Sequence, residues 1–147
     1  MTFGIIGSGA FGTALSISLS STNKKLILWT RNQDVVNSVQ EIRENRLRLP
    51  GYILPQNIIV TNDINQMGNC SIILIAVPTQ QLRSLVELHR SSLKGKILVA
   101  CCKGFEVSTG LGPTSILEIA SNKTAVLTGP SFATDLASGF PTALTVA

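Results

Sequence analysis

The sequence predicts an α/β fold: a doubly wound, mostly parallel sheet with helices on both faces. Three observations predict it. Short apolar runs alternate with segments of helical period along all 147 residues. The runs are continuous in Ile, Val and Leu, as strands buried on both faces are. A glycine-rich turn stands directly between the first run and the first helical segment.

The elements follow in order. Strands are expected at Thr2–Ile6, Lys25–Trp29, Asn57–Thr61, Ser71–Val77, Lys96–Cys101, Thr124–Leu127 and Thr142–Val146. After the first, Phe11, Ala14, Leu15, Ser18 and Leu19 recur at spacings of three and four, one face of a helix. Val35, Val39 and Ile42 do the same after the second strand, and Leu82, Leu85, Val86 and His89 after the fourth. Pro113 and Pro130 each stand where a helix can begin without needing a proline N–H. Asn45 to Gln56, with Pro50, Gly51 and Pro55, reads as an ordered irregular loop.

Composition excludes several classes. Hydrophobic residues make up 44% and charged residues 14%, too apolar a balance for disorder. The longest uninterrupted apolar run, Ile72–Val77, is far short of the roughly 18 residues of a membrane helix. No basic region or cleavage site precedes Phe3-Gly4-Ile5-Ile6, so a cytoplasmic protein with no membrane partner is expected. The length suits one domain, 1–147. The net charge of +4 is dispersed. Its densest group, Arg43, Arg46 and Arg48, is interrupted by Glu41 and Glu44 and has no interleaved aromatics. That excludes a nucleic-acid face and leaves anionic small molecules as partners. Cys70, Cys101 and Cys102 suit neither a disulfide framework nor a metal site and read as buried apolar filler. His89, the single histidine, is expected to pack on its helix away from the strand ends. Pro78 reads as structural.

Gly7-Ser8-Gly9-Ala10-Phe11-Gly12 matches G-x-G-x-x-G between a strand and a helix, the fingerprint of a Rossmann-type dinucleotide site. Gly7 permits a tight turn, Gly9 close approach of the backbone to a pyrophosphate, and Gly12 close packing of helix on strand. Free N–H groups at the helix start face the anion. An acidic residue commonly receives the ribose of NAD(H) at the end of the second strand. Here the chain runs Leu28-Trp29-Thr30-Arg31-Asn32. Arg31 can neutralise a 2′-phosphate or lie over the adenine, so NADP(H) is favoured over NAD(H). Asp34 is expected in the first turn of the next helix, where its charge suits the dipole.

Three further segments lie at strand ends, where open parallel sheets bind ligands. They are Asn45-Arg46-Leu47-Arg48-Leu49-Pro50-Gly51-Tyr52-Ile53-Leu54-Pro55, Cys102-Lys103-Gly104-Phe105-Glu106, and Gly129-Pro130-Ser131-Phe132-Ala133-Thr134-Asp135-Leu136-Ala137, the last followed by Gly139-Phe140-Pro141-Thr142. With the glycine turn, they resemble the N-terminal domain of bacterial NAD(P)-dependent glycerol-3-phosphate dehydrogenase along the whole chain. The resemblance implies hydride transfer between dihydroxyacetone phosphate and sn-glycerol 3-phosphate, for glycerophospholipid synthesis. It implies cofactor contacts at Ala10, Phe11, Arg31, Lys103 and Ala133, and substrate contacts at Lys103, Gly129 and Ser131. The family's catalytic lysine and helical substrate domain would lie downstream. No catalytic residue is therefore assigned within this chain, and turnover by it alone is not expected. A homodimer is left open.

The residues themselves agree. Lys103 is a cation placed for a dianionic substrate and a developing alkoxide. Gly129 and Ser131 flank Pro130 at an expected helix start, where N–H groups and a hydroxyl can hold an oxygen or simply cap the helix. Two other readings stand beside this one. The chain is an isolated dinucleotide-binding module without turnover, or it belongs to another reductase of the superfamily, such as ketopantoate or pyrroline-carboxylate reductase.

Overall fold

The computed structural model describes residues 2–21 and 25–147. Along the chain, β1 (Phe3–Ile6) leads through α1 (Ala10–Ser20) to β2 (Leu26–Trp29), and α2 (Gln33–Ile42) to the short β3 (Glu44–Asn45) and β4 (Leu49–Ile53). Then come β5 (Ile58–Thr61), a 3-10 turn at Ile64–Asn69, and β6 (Ile72–Ile75), with α3 (Thr79–Leu88) and α4 (Arg90–Leu93) after it. The remainder is β7 (Ile97–Ala100), α5 (Pro113–Leu117), β8 (Thr124–Thr128), α6 (Ala133–Ser138) and β9 (Thr145–Val146).

One sheet runs β5-β2-β1-β6-β7-β8-β9. Its strands are parallel except β9, which pairs antiparallel with β8. The chain builds outward from β1 through β2 and β5, then returns to β6 and builds the other way. The order therefore reverses between β1 and β6, whose last residues, Ile6 and Ile75, are register partners. A doubly wound sheet opens its ligand crevice at that switch point.

Both faces are covered, which is why the strand sequences are continuously apolar. Ile5, Leu28, Val60, Leu74 and Val99 pack one way with Leu15 of α1 and with Val35 and Val39 of α2. Ile6, Ile27, Ile73, Ile75 and Leu98 pack the other way with Leu82 and Val86 of α3 and with Ile116 and Leu117 of α5. Each such side chain contributes about 1.5–3 kcal/mol when fully buried.

The structure departs from the sequence expectations in four places. The segment from Asn45 to Gln56 is no irregular loop throughout: β3 and β4 pair as an antiparallel hairpin. Arg43 makes it possible. It ends α2 in the left-handed region at φ 56, and its guanidinium donates to the carbonyls of Leu54, Pro55 and Ile58. Glu44 Oε1 accepts from the N–H of Gly51 at 2.8 Å. Second, the last strand is only Thr145–Val146, antiparallel and exposed.

Third, Pro130 does not begin a helix. Gly129, at φ 150, turns the chain, its carbonyl accepts from Ser131 N–H at 3.1 Å, and α6 starts at Ala133 with Phe132 at its cap. Pro113 does lead α5. Fourth, α1 buries more than one stripe. It packs against both the sheet and α6, and Thr13, Ser16 and Ser20 are buried while Ser18 is exposed. Ser16 and Ser20 satisfy their hydroxyls by donating to backbone carbonyls three residues back, each at 2.6 Å. Among the described residues, no helix is long and apolar enough to cross a membrane.

Candidate functional site at the glycine turn

Gly7 leaves β1 at φ 108, and a Cβ built on it would stand 2.5 Å from the carbonyl oxygen of Ala76 on the neighbouring strand end. A Cβ on Gly12 would stand 1.9 Å from the carbonyl oxygen of Gly7. Neither position has room for a side chain. Gly9 differs: nothing lies within 4 Å of its Cβ position. It sits at the N-cap of α1, which has no side-chain cap. The protein thus needs glycine at 7 and 12 for its own packing. At 9 the glycine leaves empty space before an uncapped helix terminus, which fits a pyrophosphate.

Behind the turn runs a buried polar chain. Asn45 Nδ2 donates to the Ser8 carbonyl and to Thr13 Oγ1, both at 2.9 Å. Ser8 Oγ donates to Thr30 Oγ1 at 2.7 Å, and Thr30 Oγ1 also accepts from the N–H of Asn32. Asn32 in turn caps α2 by accepting from Asp34 N–H at 2.8 Å, with Asp34 in the first turn as expected. One network therefore joins the hairpin, the glycine turn and the end of β2. The sequence places Asn45 at the head of the 45–55 segment but gives it no role, because nothing local shows that an asparagine in an expected loop will be buried.

In front of the turn lies a groove of about 890 Å³, lined by Gly7, Ser8 and Gly9, by Trp29 to Asn32 at the end of β2, by Gln81 and Leu85 of α3, and by His89 just after that helix. Arg31 reaches across it to Gln81 Oε1 at 3.4 Å. Arg48, brought over by the hairpin, lines it too. In the sequence, Arg48 counts as one of a dispersed basic group and as part of the 45–55 segment, without a role of its own. No carboxylate is among the described lining residues.

His89 packs as expected, edge-on to Trp29 with ring centroids 5.5 Å apart and planes at 70°. It is not remote from the strand ends, however: Trp29 closes β2, so the histidine becomes part of the groove wall. Burial pushes its pKa below the ordinary 6.5.

Ala76 and Val77 are shared with a second cavity of about 290 Å³, which also touches Phe11, Lys103, Gly129 and Ser131. The structure brings Lys103, Gly129 and Ser131 together from two loops. Lys103 is exposed. Ser131 does not cap α6, because Phe132 occupies that place. Its Oγ is buried and has no partner among the described residues, a state that costs about 1–3 kcal/mol unless a ligand or water completes it. Cys101 lines the same cavity, its thiol pushed up to about 12, chiefly by burial. Cys70 is buried and Cys102 half-buried. Ala10 and Ala133 begin α1 and α6 but line neither cavity. Pro78 borders the groove. Among the described residues, no group of three His, Cys, Asp or Glu side chains could hold a metal ion.

Residues 2–147 match the family model described as NAD-dependent glycerol-3-phosphate dehydrogenase N-terminus. The chain belongs to that family. Two glycerol-3-phosphate dehydrogenases [NAD(P)+], from Ruegeria sp. and Roseobacter denitrificans, are each 48% identical over 149 residues, covering 100% of this chain and 46% of theirs. A crystal structure of glycerol-3-phosphate dehydrogenase from Coxiella burnetii superposes with a TM-score of 0.90 at 26% identity, over 99% of this chain and 46% of that one. The chain spans about half the length of these glycerol-3-phosphate dehydrogenases. Membership of the family sets aside the reading as a ketopantoate or pyrroline-carboxylate reductase.

Proposed function

We propose that this chain is the cofactor-binding half of a glycerol-3-phosphate dehydrogenase acting on dihydroxyacetone phosphate and sn-glycerol 3-phosphate. One observation carries the reading. Gly7 and Gly12 are closed by the protein itself, whereas Gly9 is open onto a groove at an uncapped helix terminus. The cofactor, when bound, supplies the hydride.

The residues divide the remaining work. The backbone from Gly9 to Gly12 receives the pyrophosphate. Arg31, with Arg48 nearby in the groove, receives the adenosine end, and two cations without a carboxylate favour a 2′-phosphate. Phe11 and Val77 line the second cavity and shield its inner side from water. Lys103 contacts the cofactor and opposes the negative charge of the substrate. The orphan hydroxyl of Ser131 and the backbone at Gly129 hold one of its oxygens. Ala10 and Ala133, at helix starts, offer backbone contacts to the cofactor.

Calorimetric titration of the purified chain with NADPH and NADH tests the reading. Both should bind, NADPH more tightly. Failure of both to bind at millimolar concentration would overturn it. Steady oxidation of NADPH with dihydroxyacetone phosphate is not expected from these 147 residues, because no described residue is assigned as the acid for the carbonyl oxygen. Turnover in that assay would put such a group here, with Lys103 the first to test. The same titration separates the module reading, in which the cofactor binds and dihydroxyacetone phosphate adds no further heat.

A further inference from the structure

Lys103 opens the long loop that leaves β7, and that loop is fastened to α3 by polar contacts. Glu106 is 5% exposed. Arg83 of α3 grips its carboxylate at two points: Nε lies 2.9 Å and 3.1 Å from the two oxygens, and Nη2 2.8 Å from Oε2. Thr109 donates to the same carboxylate from within the loop. One turn earlier on α3, Thr79 Oγ1 donates to the Lys103 carbonyl at 2.7 Å. Gln80 holds the loop in both directions. Its Nε2 donates to the Phe105 carbonyl at 2.8 Å, and its Oε1 accepts from Val107 N–H at 3.0 Å.

Apolar burial does not explain this attachment, since Phe105 is 69% and Val107 87% exposed. A buried carboxylate is tolerated only when it is paired and hydrogen-bonded, and a two-point arginine contact fixes direction as well as distance. A surface loop held only for stability could expose its acid and bury its phenylalanine. This one does the reverse, and the residues it fixes run from 103 to 107.

We infer that Arg83 and Glu106 are positioning residues: their pair locks the loop on α3 and so sets the place of the Lys103 ammonium on the rim of the Ser131 cavity. The inference rests on the reading of Lys103 in the proposed function. It assigns the pair no contact with cofactor or substrate.

The experiment is a double-mutant cycle on the full 147-residue chain, read by calorimetry with NADPH and with 2′,5′-ADP, which carries only the adenosine end. Lys103→Ala should weaken NADPH about tenfold, the worth of one charge-assisted contact, and leave 2′,5′-ADP unchanged. Arg83→Lys and Glu106→Gln should each weaken NADPH by about three- to fivefold, and should cost nothing further once Lys103 is alanine. Glu106→Gln keeps the shape of the buried group, so it serves if Arg83→Lys fails to fold. Thermal melts identify that failure.

Additive losses in the double variants would overturn the inference, because the pair would then act independently of Lys103. An equal loss for 2′,5′-ADP would overturn it too, since the whole of α3 would have shifted. If Lys103→Ala alone changes nothing, the reading of Lys103 falls and takes the inference with it. That outcome is distinct from the other two.

Discussion

Asn45 Nδ2 stands 2.9 Å from the carbonyl oxygen of Ser8, tying the β3–β4 hairpin to the back of the glycine turn. Asn45 is fully buried and gives its other bond to Thr13. Asn45→Ala would remove the buried donor to the Thr13 hydroxyl and leave the Ser8 carbonyl only the longer 3.3 Å bond from Thr13. The expected loss is about 1–3 kcal/mol of stability. Urea titration should show a lower midpoint with an unchanged slope. NADPH affinity should fall as well, since the turn that faces the pyrophosphate loses its backing. A variant with wild-type midpoint and wild-type affinity would show that the hairpin merely lies against the turn.

The glycines of the turn should separate by cause. Gly9→Val has open space, so it should fold normally by circular dichroism and lose dinucleotide binding. Gly12→Val puts a Cβ where the Gly7 carbonyl oxygen lies 1.9 Å away. It should be destabilised outright, by several kcal/mol, as overpacking against backbone is. Undiminished NADPH affinity in Gly9→Val would remove the glycine turn from the site.

Arg31 bridges the groove to Gln81 at 3.4 Å. If the guanidinium meets a 2′-phosphate, Arg31→Asp should weaken NADPH more than NADH, by about 1–3 kcal/mol. Equal losses for the two cofactors would mean that it only lies over the adenine.

The Arg83–Glu106 pair gives a pH dependence with a definite sign. The hydrogen bonds from Arg83, with that from Thr109, hold the Glu106 carboxyl below its ordinary 4.5. As pH falls, the unfolded chain takes up this proton first. The stabilisation is therefore complete above 4.5 and disappears as pH drops through the lower, folded value. Thermal melts from neutral pH downward should show wild type losing its advantage over Glu106→Gln only below 4.5. A constant difference between the two across the range would mean that the glutamate's ionisation is irrelevant to the loop.

Much of the fold was legible because its causes are local. Ile72 to Val77 reads as a buried parallel strand from its continuous apolar character, and Asp34 reads as a first-turn residue from its charge. Other features have distant causes. The hairpin at Asn45 depends on Arg43 reaching carbonyls eleven to fifteen residues ahead. Thr13 lies off the apolar face of α1 and is buried because Asn45 of the hairpin reaches it. Pro130 looks like a helix start until Gly129 turns the chain first.

The sequence by itself determined the sheet, the glycine turn and the family, because strand periodicity and the space needs of Gly7 and Gly12 are written in consecutive residues. Only the tertiary structure decided which side chains share the groove. Arg48 and His89 join Arg31, and Ser131 shares a cavity with Lys103, its hydroxyl without a partner among the described residues. Residues so far apart in the chain meet because parallel strands carry their following loops to one edge of the sheet, and no pattern of neighbours in sequence encodes which of those loops will touch.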